Sequence, residues 1–298
     1  MGFSDFIKDM GGDATHDPAL PKISKMLVKG FRWYTKRYLK KNFNAIRLSK
    51  SSAPLPDFSG LPVLVVMNHS SWWDLLIGTF LSEYLPKYQH YIPMDEKMLP
   101  KYRILSKMGF FGVSSTPRGA AVFLRRGRAI FSEPYRALWV TAQGEFVDPR
   151  VRPIVLRSGV GYFASKLEKA LILPIAIEYC FWQERTAEVL LYFSKVIETG
   201  QSLNLNRDLW TTRLEQELTS SQDQLAKEAM TRNPDHFRIL SQGTSGIGGV
   251  YDTCRRLSCW IRGKSFKAAH EPIDFSPISF ETKPATKDFQ NHELSSKV

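Results

Sequence analysis

Asn68-His69-Ser70-Ser71-Trp72-Trp73-Asp74 combines an imidazole with a carboxylate five residues on. A neutral imidazole is a competent base near pH 7. A carboxylate on its other nitrogen fixes the tautomer and stabilises the imidazolium that forms on proton uptake. The apolar run Leu61 to Met67 before the motif reads as a buried strand, and Leu75 to Leu85 after it as a helix. His69 is therefore expected where a strand ends, open to substrate, with Asp74 in the first helical turn able to bend back toward it. The same residues also fit a capping box, in which Ser71 and Asp74 only satisfy backbone N–H groups.

A second loop of the same kind is Thr141-Ala142-Gln143-Gly144-Glu145, after the apolar stretch Ala137-Leu138-Trp139-Val140. Glycine lets a substrate approach the backbone closely, and Gln143 and Glu145 add hydrogen-bonding groups at the edge expected to carry His69. A tight turn that needs Gly144 is the competing explanation.

From Leu61 to about Thr199 strand-like and helix-like stretches alternate: Gln89–Pro93, Glu96–Lys107, Phe110–Ser115, Arg118–Phe131, Arg136–Ala142, Ser158–Lys169, Leu171–Ile177 and Val189–Ile197. This pattern predicts an α/β fold with a mainly parallel sheet and flanking helices, preceded by an N-terminal basic amphipathic helix segment. Ligands of such sheets sit at the carboxyl ends of the strands. Leu209–Thr231 reads as a further helix, Gly243–Gly249 as a loop and Tyr251–Lys264 as a short basic amphipathic helix. The tail from Ala268 has the composition of a disordered segment. Three regions follow: a membrane-facing segment (1–56), an α/β domain (57–232) and a partly disordered C-terminal extension (233–298).

With 298 residues and 43% apolar side chains the chain can bury a sizeable core, and its net charge of +12 favours an anionic partner. Between Pro18 and Pro56 there are ten Lys and Arg residues and no acid. Ile23, Leu27, Phe31, Tyr34 and Tyr38 recur there at helical spacing, which suits a basic helix lying in a headgroup layer. A helix packed on the main domain with a solvated basic face, and contact with nucleic-acid phosphates, are the alternatives; the anionic membrane surface is preferred and no nucleic-acid partner is expected. No apolar run reaches the roughly 18 residues of a membrane span. Cys180, Cys254 and Cys259 are too few and scattered for a disulfide framework and read as plain thiols in a reducing compartment. The localisation expected is peripheral, on the cytoplasmic face of a membrane.

The two loops, in this order and at this separation, resemble the glycerolipid acyltransferase family that includes lysophosphatidic-acid acyltransferases. His69 and Asp74 match its His-x4-Asp block. Met108-Gly109-Phe110-Phe111-Gly112-Val113 matches the start of its second block, Ala142-Gln143-Gly144-Glu145 stands at its third with glutamine in place of the family's glutamate, and Ile172-Leu173-Pro174-Ile175-Ala176 matches its fourth. The resemblance implies catalytic roles for His69 and Asp74 and substrate binding by Gly109, Arg118, Gln143, Gly144 and Glu145. It implies acyl transfer in phospholipid biosynthesis, from a thioester donor (acyl-CoA or acyl carrier protein) to a lipid hydroxyl, with no cofactor and no metal. Backbone N–H groups near Gly144, or a nearby side chain, would steady the oxyanion. The second-block arginine is absent or displaced to Arg118, and Glu145-Phe146 replaces the usual Thr-Arg. Both changes remove cations that would clamp a phosphomonoester, so an acceptor other than lysophosphatidic acid is expected. A lipid or thioester hydrolase and a non-catalytic membrane-binding homologue remain as alternatives.

Overall fold

The computed structural model describes residues 20–101, 103–200 and 205–243. The Tyr251–Lys264 segment, Gly249 and the rest of its loop beyond Gly243, Cys254, Cys259 and the tail from Ala268 lie outside the described residues.

The first described element is α1 (Lys25–Asn42), capped by the Ser24 hydroxyl and followed directly by strand β1 (Phe43–Ser49). Then come β2 (Val63–Met67), α2 (Asp74–Leu81), β3 (Gln89–Asp95), α3 (Arg103–Ser106), β4 (Phe110–Val113), α4 (Pro117–Phe131), β5 (Arg136–Thr141), α5 (Ser158–Ala164), β6 (Leu171–Cys180), β7 (Ala187–Phe193), β8 (Ile197–Glu198), α6 (Arg207–Thr231) and β9 (Phe237–Gln242). The sheet runs β4-β3-β5-β2-β6-β7-β1-β9, with β8 on β6. β2 lies parallel between β5 and β6, and β3 lies parallel between β5 and β4. The fold is thus α/β with a nine-stranded, mostly parallel mixed sheet, as the alternation predicts.

Strand β2 shows why its sequence is apolar throughout. Val63, Val65 and Met67 join one core with Leu39 of α1 and Ile77 and Phe80 of α2. Leu64 and Val66 join a second core with Phe163 of α5 and Trp210 and Leu214 of α6. Successive side chains point to opposite faces and both faces are covered, so every position is buried.

Several segments differ from the sequence reading: the helix expected over Ser158–Lys169 ends at Ala164, and the strand expected over Val189–Ile197 is divided between β7 and β8. The helix expected over Glu96–Lys107 is reduced to Arg103–Ser106, with turns from Glu96 to Lys101. Pro100 cannot sit inside a helix, and the Asp95 carboxylate accepts the Lys97 N–H at 2.9 Å, a side-chain turn that competes with helical bonding. The amphipathic segment ends at Asn42, because residues 43–49 form a wholly buried strand between β7 and β9. The C-terminal region likewise contributes β9 to this sheet before leaving the described residues. Polar residues inside β1 disguise it. Asn44 and Arg47 are buried because both donate to Glu188 of β7, at 2.5 and 2.9 Å, while Trp182 stacks on Arg47. Removing one partner leaves an uncompensated buried charge, so Glu188→Ala is expected to cost about 3–5 kcal/mol. Urea unfolding measures this, and a loss below about 1 kcal/mol would contradict it.

Strand β3 carries His90 in the core. Its Nδ1 accepts the Trp139 indole N–H at 3.0 Å and its Nε2 donates to the Leu85 carbonyl at 3.1 Å. Burial, reinforced by the positive charge of Arg32, pushes its pKa down to about 3 from the ordinary 6.5, against a smaller upward effect of the Leu85 bond. The unfolded chain therefore binds the extra proton first. The contribution to stability is complete above about pH 6.5 and is lost as pH falls from there toward 3, with a slope of up to about 1.4 kcal/mol per pH unit. Thermal unfolding across pH 4–7 should show this slope, and His90→Gln should flatten it.

Candidate active site

Strands β2, β5 and β6 end side by side, and the residues that follow them build the site. Asn68 closes the end of β2 onto β6: its side chain donates to the Ile177 carbonyl at 3.0 Å and accepts the Ile177 N–H at 2.7 Å. The chain then turns through His69 to Asp74, the first residue of α2. Asp74 is fully buried. Its Oδ2 accepts from Nδ1 of His69 at 2.8 Å and from the Ser70 and Ser71 N–H groups at 2.9 and 3.0 Å. Its Oδ1 accepts the Tyr179 hydroxyl at 2.7 Å.

The catalytic and capping readings of Asp74 thus describe one arrangement. A single carboxylate folds the loop and holds the imidazole. With Nδ1 committed to Asp74, the proton sits there and Nε2 is the basic nitrogen. Tyr179, from the end of β6, was not singled out in the sequence. The signal was present in the alternation Leu171, Leu173, Ile175, Ile177, Tyr179, which puts it on the core face shared with α2. Burial, and then the negative charge of Asp74, raise its pKa well above 10, so it stays a donor.

The second loop meets the first. The Gln143 side-chain oxygen accepts the His69 N–H at 2.7 Å, and the His69 carbonyl accepts the Val147 N–H at 2.8 Å. A glutamate could accept the same bond, so glutamine preserves this positioning role. Gly144 has φ +72°, in the left-handed region that favours glycine, and its N–H is engaged by the Thr141 carbonyl. It is therefore not the free donor expected for an oxyanion. A Cβ at Gly144 would run into the Arg157 side chain, which donates to the Gln143 carbonyl at 3.3 Å. The sequence does not mark Arg157 as a neighbour of this loop, because it reaches the loop from just before α5. Phe146 lies over the imidazole with ring centroids 4.5 Å apart and is 62% exposed. Trp72, two residues before Asp74, is 61% exposed beside Trp73, which packs on Tyr38 and Phe43.

Not all predicted residues join this cluster. Glu145 is exposed on the Gly144 loop. Arg118 is exposed in the first turn of α4, at the same sheet edge but after β4, three strand spacings from β2, or about 14 Å. Gly109 lies at the opposite end of β4, pressed against the His90 carbonyl. The Ser71 hydroxyl accepts the Trp73 N–H at 3.3 Å, while the Ser70 hydroxyl is buried without a hydrogen-bond partner among the described residues. The Cys180 thiol, raised to about 12 by burial and then by Glu178 and Glu188, remains protonated and is a poor nucleophile.

Asp74→Asn removes acceptor capacity from a buried site with four donors. It is expected to slow turnover about 10²–10⁴-fold and to destabilise the fold by about 1–3 kcal/mol. Turnover per folded molecule, measured beside thermal unfolding, separates the two effects. Unchanged turnover per folded molecule would leave Asp74 with a capping role only.

No family model matches the chain, and no curated protein matches it.

Proposed function

We propose that the protein is an O-acyltransferase that moves a fatty acyl group from a thioester donor to a lipid hydroxyl at a membrane surface. The observation that carries this reading is the 2.8 Å contact between His69 Nδ1 and a buried Asp74 at the carboxyl edge of a parallel sheet. Nε2 of His69 takes the proton of the acceptor hydroxyl as that oxygen attacks the thioester carbonyl. The tetrahedral oxyanion collapses, the C–S bond breaks, and the imidazolium returns the proton to the leaving thiolate. Asp74 balances the imidazolium charge, and Tyr179 and the Ser70 and Ser71 N–H groups keep that carboxylate in place. The Arg157 guanidinium, which reaches the Gln143 carbonyl, is the proposed donor to the developing oxyanion. Phe146 and Trp72 provide exposed apolar surface for an acyl chain at the mouth of the site.

The resemblance to glycerolipid acyltransferases supports the same reaction through His69, Asp74 and Gly144. Gln143, the strongest argument for a degenerate homologue, supports activity instead, since it holds the His69 backbone. Arg157 supplies one guanidinium where the family pattern would have two, and Phe146 covers the imidazole. The proposed acceptor is accordingly a lipid alcohol other than lysophosphatidic acid. Lipid mass spectrometry of cells with and without the protein tests this. One acylated lipid class should fall while its deacylated partner accumulates, and unchanged lipids with altered free fatty acid would favour a hydrolase.

The membrane contact is proposed for the outer side of α1. Among the described residues no helix is long and apolar enough to cross a membrane. Ile23, Phe31 and Tyr38 pack inward on the two cores and do not insert. Met26, Trp33 and Tyr34 are 78%, 62% and 50% exposed, and Arg37 stacks on Trp33. Apolar insertion resists salt whereas charge attraction does not. Met26→Ala with Trp33→Ala should therefore release the protein from anionic vesicles at high salt while leaving low-salt binding in place. Equal high-salt binding by the variant would move the anchor elsewhere.

A further inference from the structure

A second groove lies far from His69, between α4 and the chain that follows α5. Its volume is about 510 Å³, within the range of small-molecule sites. At its floor a Cβ on Gly127 would stand 2.7 Å from the Phe163 ring, so glycine lets that ring settle against the α4 backbone. Phe131 meets Phe163 edge-on with centroids 5.1 Å apart, and these two rings with Leu124 and Leu167 make an apolar floor. Arg125, Arg128, Lys166 and Lys169 line the groove with one acid, Glu168. Among the described residues none of these four cations has an ion-pair partner. Lys166 instead stands over the Tyr162 ring, 5.5 Å from its centroid.

Four cations with one acid among them, gathered beside an apolar floor, complement a ligand that joins an anionic head to an apolar tail. Solvated lysines and arginines alone would not need the floor, and an apolar ligand alone would not need the charges. We infer that this groove is a binding site for an anionic single-chain amphiphile, one alkyl chain on the Phe131–Phe163–Leu167 floor and a phosphate or carboxylate head among Arg125, Arg128, Lys166 and Lys169. Guanidinium groups suit such heads because they donate in pairs to oxyanions. The groove is not the reacting site. α4 runs from the end of β4 to the start of β5, and Lys169 leads into the start of β6, so the groove lies at the sheet edge opposite His69, on the order of 15–20 Å away. This inference stands whether or not the protein transfers acyl groups.

Binding of dodecyl phosphate below its micellar concentration, followed by calorimetry on the full chain, tests it. Dodecyl maltoside supplies the tail without the charge, and inorganic phosphate the charge without the tail. Dodecyl phosphate should bind at least about tenfold more tightly than either. Arg125→Glu with Arg128→Glu, both exposed and so compatible with folding, should weaken it about tenfold to a hundredfold. His69→Ala should leave this binding unchanged, which separates the groove from the catalytic edge. A second measurement needs no variant of the groove: a photoreactive alkyl phosphate should label residues 121–132 or 162–170 in the wild-type protein. Labelling confined to peptides containing His69 or Phe146, equal affinity for the three probes, or binding only to phosphatidic-acid vesicles would each overturn the assignment.

Discussion

His69→Ala is expected to fold normally and to transfer acyl groups about 10²–10⁴-fold more slowly than the wild-type protein. The imidazole is only partly buried, its side chain 22% exposed, so its removal opens little space in either core. Its backbone stays fixed without the ring, because the His69 N–H is held by Gln143 and its carbonyl by Val147. Ser70, Ser71 and Tyr179 still donate to Asp74. What is lost is the nitrogen that takes the acceptor proton. Full activity in the folded variant would end the general-base assignment.

The second large effect concerns the N-terminus. A chain beginning at Ser51 is expected not to fold, although the basic segment before Pro56 resembles a detachable membrane anchor when read as sequence. The truncation removes β1, which lies between β7 and β9, and with it the Arg47 and Asn44 partners of Glu188. It also removes Leu39, Phe43 and Ile46 from the first core. Fully burying one such side chain contributes about 1.5–3 kcal/mol, so with the orphaned glutamate the losses are as large as the whole stability of an ordinary domain, about 5–15 kcal/mol. Circular dichroism and proteolysis of the truncated chain measure this, and a native-like truncated domain would contradict it.

The same segment shows what sequence patterns carry and what they hide. β2, β5 and β6 are legible because both of their faces are buried, which leaves uninterrupted apolar runs. β1 is not, because Asn44 and Arg47 break its apolar pattern and find their partner only in distant Glu188, 141 positions from Arg47 and bonded to it at 2.9 Å. β9 is hidden for a related reason: it is an edge strand with three of its six residues exposed, and its register is set by β1 alone. At the site, His69 and Asp74 are readable because loop and helix bring them together locally. Tyr179 and Arg157 reach the site through tertiary structure, from β6 and from the chain before α5: the alternation along β6 gives the face of Tyr179 but not its partner Asp74, and no short-range spacing marks Arg157. Gln143 reads as a departure from a family pattern, yet its side chain does what a glutamate there could also do.

The most direct measurement is a single incubation of the purified protein with vesicles of mixed lipid alcohols and a thioester donor labelled in its acyl chain, offered as acyl-CoA and as acyl carrier protein. A labelled ester should appear on one lipid, with one free thiol released per ester formed, and both should vanish together in His69→Ala. Thiol release with the label recovered only as free fatty acid, or ester formation that survives His69→Ala, would contradict acyl transfer by His69.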